Sequence, residues 1–126
     1  DLEDNPALGC TSEQGTKTIY VQLTDARSNS AKTSQSIYLD TTPPPISMMI
    51  ESGAQYTSSA LLNLSLENGW RRSFSCDGID FSPFAVYPDS FLFNLSENSD
   101  LGCSVEDGIK TIYFRAKDPA GNIAII

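Results

Sequence analysis

The chain has 126 residues, with 8 Lys and Arg against 16 Asp and Glu and no His, so its formal net charge is −8. Such an acidic chain repels phosphate, which argues against nucleic acid and anionic membranes as partners. No run of 18 apolar residues occurs, so we expect no membrane insertion. The first six residues, DLEDNP, lack the basic and apolar regions of a signal peptide, so we expect any such segment to have been removed or not included.

Residues 8–29 recur 93 positions later as residues 101–122, without a gap and with 11 of 22 residues identical. LGCTSEQGTKTIY at residues 8–20 becomes LGCSVEDGIKTIY, and the match continues until Asp25 falls on Asp118 and Asn29 on Asn122. A solenoid unit is shorter than this period, which suits a β-sandwich domain of about 100 residues. The sequence therefore predicts a tandem repeat with a period of 93 residues.

A proline-rich segment, DTTPPP at residues 40–45, separates the two copies. Consecutive prolines exclude a helix and favour an extended, semi-rigid connector. We expect residues 1–40 to be the C-terminal part of a first domain. Residues 41–126 are then a second domain, nearly complete, with its last strand truncated.

The second unit alternates short apolar runs with turn residues, a pattern typical of antiparallel strands. The expected strands are residues 46–50, 61–66, 71–76, 79–81, 91–95, 110–117 and 123–126. Asp77-Gly78 predicts a hairpin turn between the third and fourth of these. Because no segment shows sustained helical periodicity, we predict an all-β fold with about seven antiparallel strands per unit.

Several motifs of the second unit resemble a known family. They are DTTPP at residues 40–44, GAQYTSS at 53–59, FSCDG at 74–78, DGIKTIY at 107–113 and DPAGN at 118–122. In this order they resemble the tandem Ig-like, or fibronectin-III-like, repeats of bacterial and archaeal surface and secreted proteins, which implies an Ig-like β-sandwich. Ser28 departs from the family's turn, which has Gly there. Such domains occur in adhesins, surface-layer proteins and secreted hydrolases, so the resemblance implies a fold rather than one activity.

Three cysteines are present, and the repeat relates two of them. Cys10 and Cys103 are equivalent, whereas the equivalent of Cys76 would fall before residue 1. We expect a disulfide between Cys76 and Cys103, and a partner for Cys10 outside the chain. A buried free thiol and a metal or catalytic thiol are the alternatives, although no Cys-x-x-Cys spacing and no His occur. A structural disulfide implies an oxidising, extracellular or cell-surface location.

Two sequons, Asn63-Leu64-Ser65 and Asn94-Leu95-Ser96, are candidate glycosylation sites. Both asparagines fall on the outward phase of their predicted strands. Chance is the alternative, because Ser and Thr are abundant in this sequence.

No cofactor is expected apart from Ca²⁺, for which the candidate ligands are Asp40 at the junction with Asp25 or Asp118 in the turns. An Asp that begins a turn more often caps the backbone, and no spaced Asp-x-Asp-x-Asp run supports a calcium loop.

We expect no enzymatic activity, because nothing singles out two of the 16 acidic residues as a catalytic pair. Trp70, beside Arg71 and Arg72, is a candidate sugar-stacking platform. A partly buried tryptophan at the start of a strand is the alternative.

The leading hypothesis is a structural or adhesive extracellular module that acts as a stiff spacer, with neighbouring Ig-like domains as partners. A second is a subunit of a self-assembling filament or surface layer, completed by strand exchange with identical chains. A fragment of a longer polypeptide is the alternative explanation for an incomplete first domain. A third hypothesis is a carbohydrate-binding module of a secreted enzyme, with glycans as partners.

Overall fold

The polypeptide is built from β-strands and short 3₁₀ turns. A computed structural model describes residues 6–126, and the chain divides into two compact units, Asp1–Thr41 and Thr42–Ile126. Among the described residues there is no α-helix. The prediction of an all-β fold is therefore confirmed.

Over residues 6–126, unit 1 contributes two strands and unit 2 contributes six. They are β1 Gly15–Thr24, β2 Ser30–Leu39, β3 Ser47–Ile50, β4 Leu61–Glu67, β5 Arg71–Ser75, β6 Ser90–Asn94, β7 Tyr113–Lys117 and β8 Ile123–Ile125. The 3₁₀ turns are Pro6–Leu8, Glu51–Gly53, Leu95–Glu97 and Ser99–Leu101. In the described part of unit 2 these strands form two antiparallel sheets, ordered β3-β4-β6 and β5-β7-β8, and β1 pairs with β2 in unit 1.

Alternating apolar residues give β4 one buried face. Leu62, Leu64 and Leu66 are buried, whereas the intervening Asn63 and Ser65 are only partly covered. Side chains alternate between the two faces of a strand, so this pattern fixes which face of the sheet turns to the core. The pairings of β4 with β3 and with β6 then bring the apolar residues of three strands to that face.

Phe74 lies at the centre of the unit 2 core, which takes side chains from both three-stranded sheets. Its ring stacks on Phe114 at 5.5 Å between centroids and meets Tyr87 edge to face at 5.1 Å. Phe91 and Phe93 of β6 approach the same ring at 5.3 and 5.8 Å. A single aromatic side chain thus contacts residues of β6 and β7, which belong to different sheets.

The segment after β5 differs from the expected return strand at residues 79–81. The Asp77 carboxylate accepts hydrogen bonds from the main-chain N–H groups of Ile79 and Asp80, each within 3.0 Å, so the chain curls into turns. Main-chain pairing with β5 begins only at Ser82, whose N–H bonds to Phe74, and continues at Ala85. The prediction of a return strand at residues 79–81 was wrong, because the Asp77 carboxylate competes for the backbone donors of that segment.

Arg72 fixes the chain that crosses behind β5. Its side chain is buried, and its guanidinium donates to the main-chain oxygens of Asn68 and Tyr87 and to Asp89 Oδ1 at 2.6 Å. Because Nε, Nη1 and Nη2 of this buried guanidinium each donate a hydrogen bond, Arg72 holds the 85–89 segment against β5. This arginine is therefore structural.

Candidate functional site

The two units contain the same turn at positions 93 residues apart. The Asp25 carboxylate accepts from the N–H of Asn29 at 2.8 Å and from its Nδ2 at 2.8 Å, and Asp118 accepts from Asn122 at 2.9 Å in both cases. Ser28 adopts φ 65°, in the left-handed region where Gly121 adopts φ 96°. Ser28 thus takes the conformation that favours glycine, at a cost of about 1–2 kcal/mol.

The strands that flank these turns are paired in the same register. In unit 1, Leu23 lies opposite Ala31 and Thr24 opposite Ser30. In unit 2, the residues at the same offset are opposite each other, Ala116 with Ala124 and Lys117 with Ile123. We call β1–β2 hairpin 1 and β7–β8 hairpin 2.

The equivalent apolar residues differ in burial. The matched pairs are Leu8 and Leu101, Ile19 and Ile112, Val21 and Phe114, and Leu23 and Ala116. In unit 1 these side chains are 46–79% exposed, whereas in unit 2 they are 0–7% exposed. The apolar face of hairpin 2 lies in a packed core, and that of hairpin 1 is open.

Cys76 and Cys103 are joined by a disulfide, and Cys10 is free. The bridge links the end of β5 to the chain that follows the 3₁₀ turn Ser99–Leu101, where the N–H of Cys76 also donates to Leu101. Cys10 follows the 3₁₀ turn Pro6–Leu8, and the glycines before it and before Cys103 have nearly identical φ values of 76° and 77°. Cys10 therefore has the local backbone of a disulfide-bonded cysteine without its partner.

A row of cations stacked on aromatic rings lies along β5 and β7. The Arg71 guanidinium is 4.6 Å from the centre of the Trp70 ring, and Lys117 is 4.7 Å from that of Phe84. Arg115 is held between two rings, 4.1 Å from Phe81 and 4.7 Å from Phe84, and its Nε donates to Ser73. We call Trp70, Arg71, Phe81, Phe84, Arg115 and Lys117 the basic–aromatic face.

The charges of this face repel one another. Arg71 lies directly opposite Lys117 in the β5–β7 pairing, an arrangement that destabilises a sheet. Within residues 6–126, Arg71, Arg115 and Lys117 form no ion pair with a carboxylate. Sequence reasoning singled out Trp70 and Arg71 but missed Arg115 and Lys117, whose outward phase in the 110–117 strand was the available signal.

The two sequon asparagines lie in different surroundings. Asn63 is on the central strand β4, where its Oδ1 accepts from Ser90 Oγ at 3.0 Å. Asn94 caps the 3₁₀ turn Leu95–Glu97 through its Oδ1, and its Nδ2 donates to Glu97 at 2.9 Å. A glycan on Asn94 would take one of the two Nδ2 hydrogens and leave the other for Glu97, and both asparagines are partly buried.

Of the three candidate calcium ligands, Asp25 and Asp118 form hydrogen bonds within their turns, and Asp40 lies far from Asp25 along hairpin 1. Hydrogen bonds from the Asn29 side chain and main chain lower the pKa of Asp25, and those from Asn122 lower the pKa of Asp118. Within hairpin 1, Asp25 lies at the turn and Asp40 follows the opposite end, so those two carboxylates are apart. Over residues 6–126, no group of three or more His, Cys, Asp or Glu side chains is placed to hold a metal ion.

A cleft of about 640 Å³ opens between the loop at residues 54–60 and the loop at residues 105–110. Tyr56 and Ile109 line it but remain almost fully exposed. Glu51, at its edge, accepts a hydrogen bond from the N–H of Asn63 at 2.6 Å and so ties the 3₁₀ turn to β4.

Comparison of the chain with protein-family models, curated proteins and solved structures finds no match. In the described part of the chain, no helix has the length and apolar character that a membrane span requires.

Proposed function

We propose that this chain belongs to a tandem array of Ig-like β-sandwich units and serves as a non-catalytic structural or adhesive module outside the cell. The observation that carries the proposal is the identical register and turn of hairpins 1 and 2, 93 residues apart. Two copies of one supersecondary element at a fixed offset are the signature of a repeated domain.

The organisation of the unit 2 core supports a sandwich. Phe74 and Phe114 come from the β5-β7-β8 sheet and Phe93 from the β3-β4-β6 sheet, and their rings are in contact. Two sheets that share one core pack face to face. The isolated pairing of Ala85 with Arg72 on the free edge of β5 supports a seventh strand there.

The buried polar side chains of unit 2 support a structural role. Arg72, Ser73, Ser75 and Asp118 each bind a loop or turn to a strand through hydrogen bonds. These contacts stiffen the loops, which suits a spacer whose reach grows with the number of units.

The disulfide and the acidic composition support an extracellular location. Disulfides persist in oxidising compartments, and reduced thiols predominate in the cytosol of most organisms. The net charge of −8 favours a well-solvated surface.

Single-molecule pulling on the full chain tests the mechanical proposal. We expect one discrete rupture of unit 2, after which the disulfide keeps the 27-residue separation between Cys76 and Cys103 from extending. Under reducing conditions the length released should therefore increase by about 85–90 Å, since the bonded cysteines already span 4.9 Å between their Cα atoms. A smooth extension without rupture would contradict a load-bearing sandwich.

The basic–aromatic face supports a second candidate function, binding of an acidic glycan. Cations without a carboxylate partner among the described residues, beside the exposed ring of Trp70 and the partly buried rings of Phe81 and Phe84, favour a ligand with carboxylate or sulfate groups on a flat ring. We expect binding to a sulfated polysaccharide and none to neutral dextran, with binding weakened at least tenfold in Lys117→Ala. Lys32→Ala, in unit 1, is the matched control. An equal loss of polysaccharide binding in Lys117→Ala and Lys32→Ala would show that the ligand is attracted by charge alone, and would contradict a defined binding site.

A further inference from the structure

Hairpin 1 has two chemically different faces. The pairing of β1 with β2 places Ile19, Val21 and Leu23 on the same face as Ile37, while Thr18, Tyr20 and Gln22 point the other way with Ser34 and Ser36. The four named apolar side chains are between 46 and 71% exposed. Isolated two-stranded hairpins are marginally stable in water, and an exposed apolar face of this kind favours association.

Unit 2 shows what covers the equivalent face. Ile112, Phe114 and Ala116 lie in one core cluster with residues of the strands β4, β5 and β6. The covering side chains are mainly leucine and phenylalanine, and they include Leu62, Leu64, Leu66, Phe74 and Phe93. Unit 2 therefore indicates which side chains would cover the apolar face of hairpin 1, namely leucine and phenylalanine on amphipathic strands.

Cys10 gives an independent indication of that partner. Its equivalent, Cys103, is bonded to Cys76, which directly follows β5. The segment that covers hairpin 2 is thus the segment that carries the second cysteine. Unit 1 has an open apolar face and a free thiol. In unit 2 the equivalent face and the equivalent Cys103 both contact residues between 62 and 93.

We propose that hairpin 1 and Cys10 form a docking surface for a further segment with the sequence pattern of this repeat. That segment has amphipathic strands with Leu and Phe on the inner face, in the pattern of residues 42–93, and a cysteine equivalent to Cys76. Docking rests on the proposed function, because it requires a tandem repeat. The two thiols are oxidised to a disulfide with loss of two protons, and the two electrons reduce a disulfide oxidant such as oxidised glutathione.

An extended chain tests the proposal directly. A copy of residues 42–93 is placed before Asp1, so that residue 93 of the copy continues into Asp1 as it continues into Asn94 in unit 2. After refolding with reduced and oxidised glutathione, peptide mapping should find Cys10 bonded to the copied Cys76. Hydrogen exchange of residues 17–24 should slow at least tenfold relative to the 126-residue chain.

Two matched substitutions in the extended chain separate docking from a general effect. Val21→Asp places a charge on the apolar face and should abolish the slowed exchange, whereas Gln22→Asp, on the opposite face, should leave it. Cys10→Ser should remove the disulfide and retain most of the slowed exchange, because the face and not the thiol provides the contact. Equal effects of Val21→Asp and Gln22→Asp would overturn the proposal.

Two further results would also overturn it. One is a Cys10 that stays reactive, with unchanged exchange, in the extended chain. The other is a dimer of the unmodified chain, joined by a Cys10–Cys10 disulfide and broken by Val21→Asp, which would make a second hairpin 1 the occupant. The rupture of unit 2 in the pulling experiment does not depend on hairpin 1, so failure of docking and failure of the mechanical role are distinguishable.

Discussion

At the residue scale, single side chains decide the conformation of the turns. Asp25, Asp77 and Asp118 each accept hydrogen bonds from nearby backbone N–H groups or an asparagine, and these bonds lower the pKa of all three. Hydrogen bonds to the charged form favour ionisation. The sequence identified two of these residues as calcium candidates, whereas their geometry is that of backbone caps.

Acid should weaken unit 2 through Asp118. Its pKa is lower in the folded chain than in the unfolded chain, so its contribution is present above the unfolded pKa of about 3.9 and is lost as pH falls through the folded pKa. We therefore expect Asp118→Asn to show a smaller fall in unfolding free energy between pH 5 and pH 3 than the parent, measured by urea titration.

The partner residue supplies the check on this prediction. Asn122→Ala removes the side-chain hydrogen bond that is the main cause of the lowered pKa of Asp118, so it should reduce the same pH dependence of the unfolding free energy. Combining Asn122→Ala with Asp118→Asn should change that pH dependence little further. Full additivity of the two substitutions would show that they act independently and contradict the pairing.

Gly69 is required for a close approach of chains. Its φ is +83°, and a Cβ added there would lie 2.4 Å from Cβ of the buried Ala116. We expect Gly69→Ala to lower the free energy of unfolding by about 2–5 kcal/mol, from overpacking together with backbone strain. Gly121→Ala, at φ +96° with nothing within 4 Å, is the control and should cost only about 1–2 kcal/mol. Equal losses in thermal or urea unfolding would exclude the steric contact.

At the scale of elements, alternation predicted the strands well. The expected runs at 46–50, 61–66, 71–76 and 91–95 agree with β3 to β6 within a residue or two at each end. The run at 110–117 begins later, at Tyr113, because its partner β5 ends at Ser75, which lies opposite Tyr113. A strand ends where its neighbour no longer provides backbone hydrogen-bond partners, and the sequence of one strand does not contain that information.

The disulfide ties β5 to the loop before β7. It closes a separation of 27 residues, which in the chain-entropy model corresponds to about 3–4 kcal/mol. We expect Cys76→Ser to lower the free energy of unfolding of unit 2 by about that amount in urea, with no further loss when a reductant is added. Cys10→Ser should leave the stability of unit 2 unchanged; a comparable loss there would show that Cys10 is part of the unit 2 fold.

At the scale of the whole molecule, the sequence predicted both the repeat and the contrast in burial. The similarity of residues 8–29 to residues 101–122 predicts two similar hairpins, and the prediction that residues 1–40 form only part of a domain implies that Ile19 is exposed where Ile112 is buried, as observed. Burial depends on the segments around a hairpin. The basic–aromatic face was missed because the outward phase of Arg115 and Lys117 does not show that Phe81 and Phe84 pack against them, a contact that only the fold produces.

Hydrogen exchange on the unmodified chain tests the central claim, that hairpins 1 and 2 are one element in two states of burial. Amides of Tyr113–Lys117 should be protected by a factor of about 10³ or more, since they open only with the core of unit 2. Amides of residues 20–24, at the same offset in hairpin 1, should exchange at least a hundred times faster. Equal protection of the two segments would contradict the account.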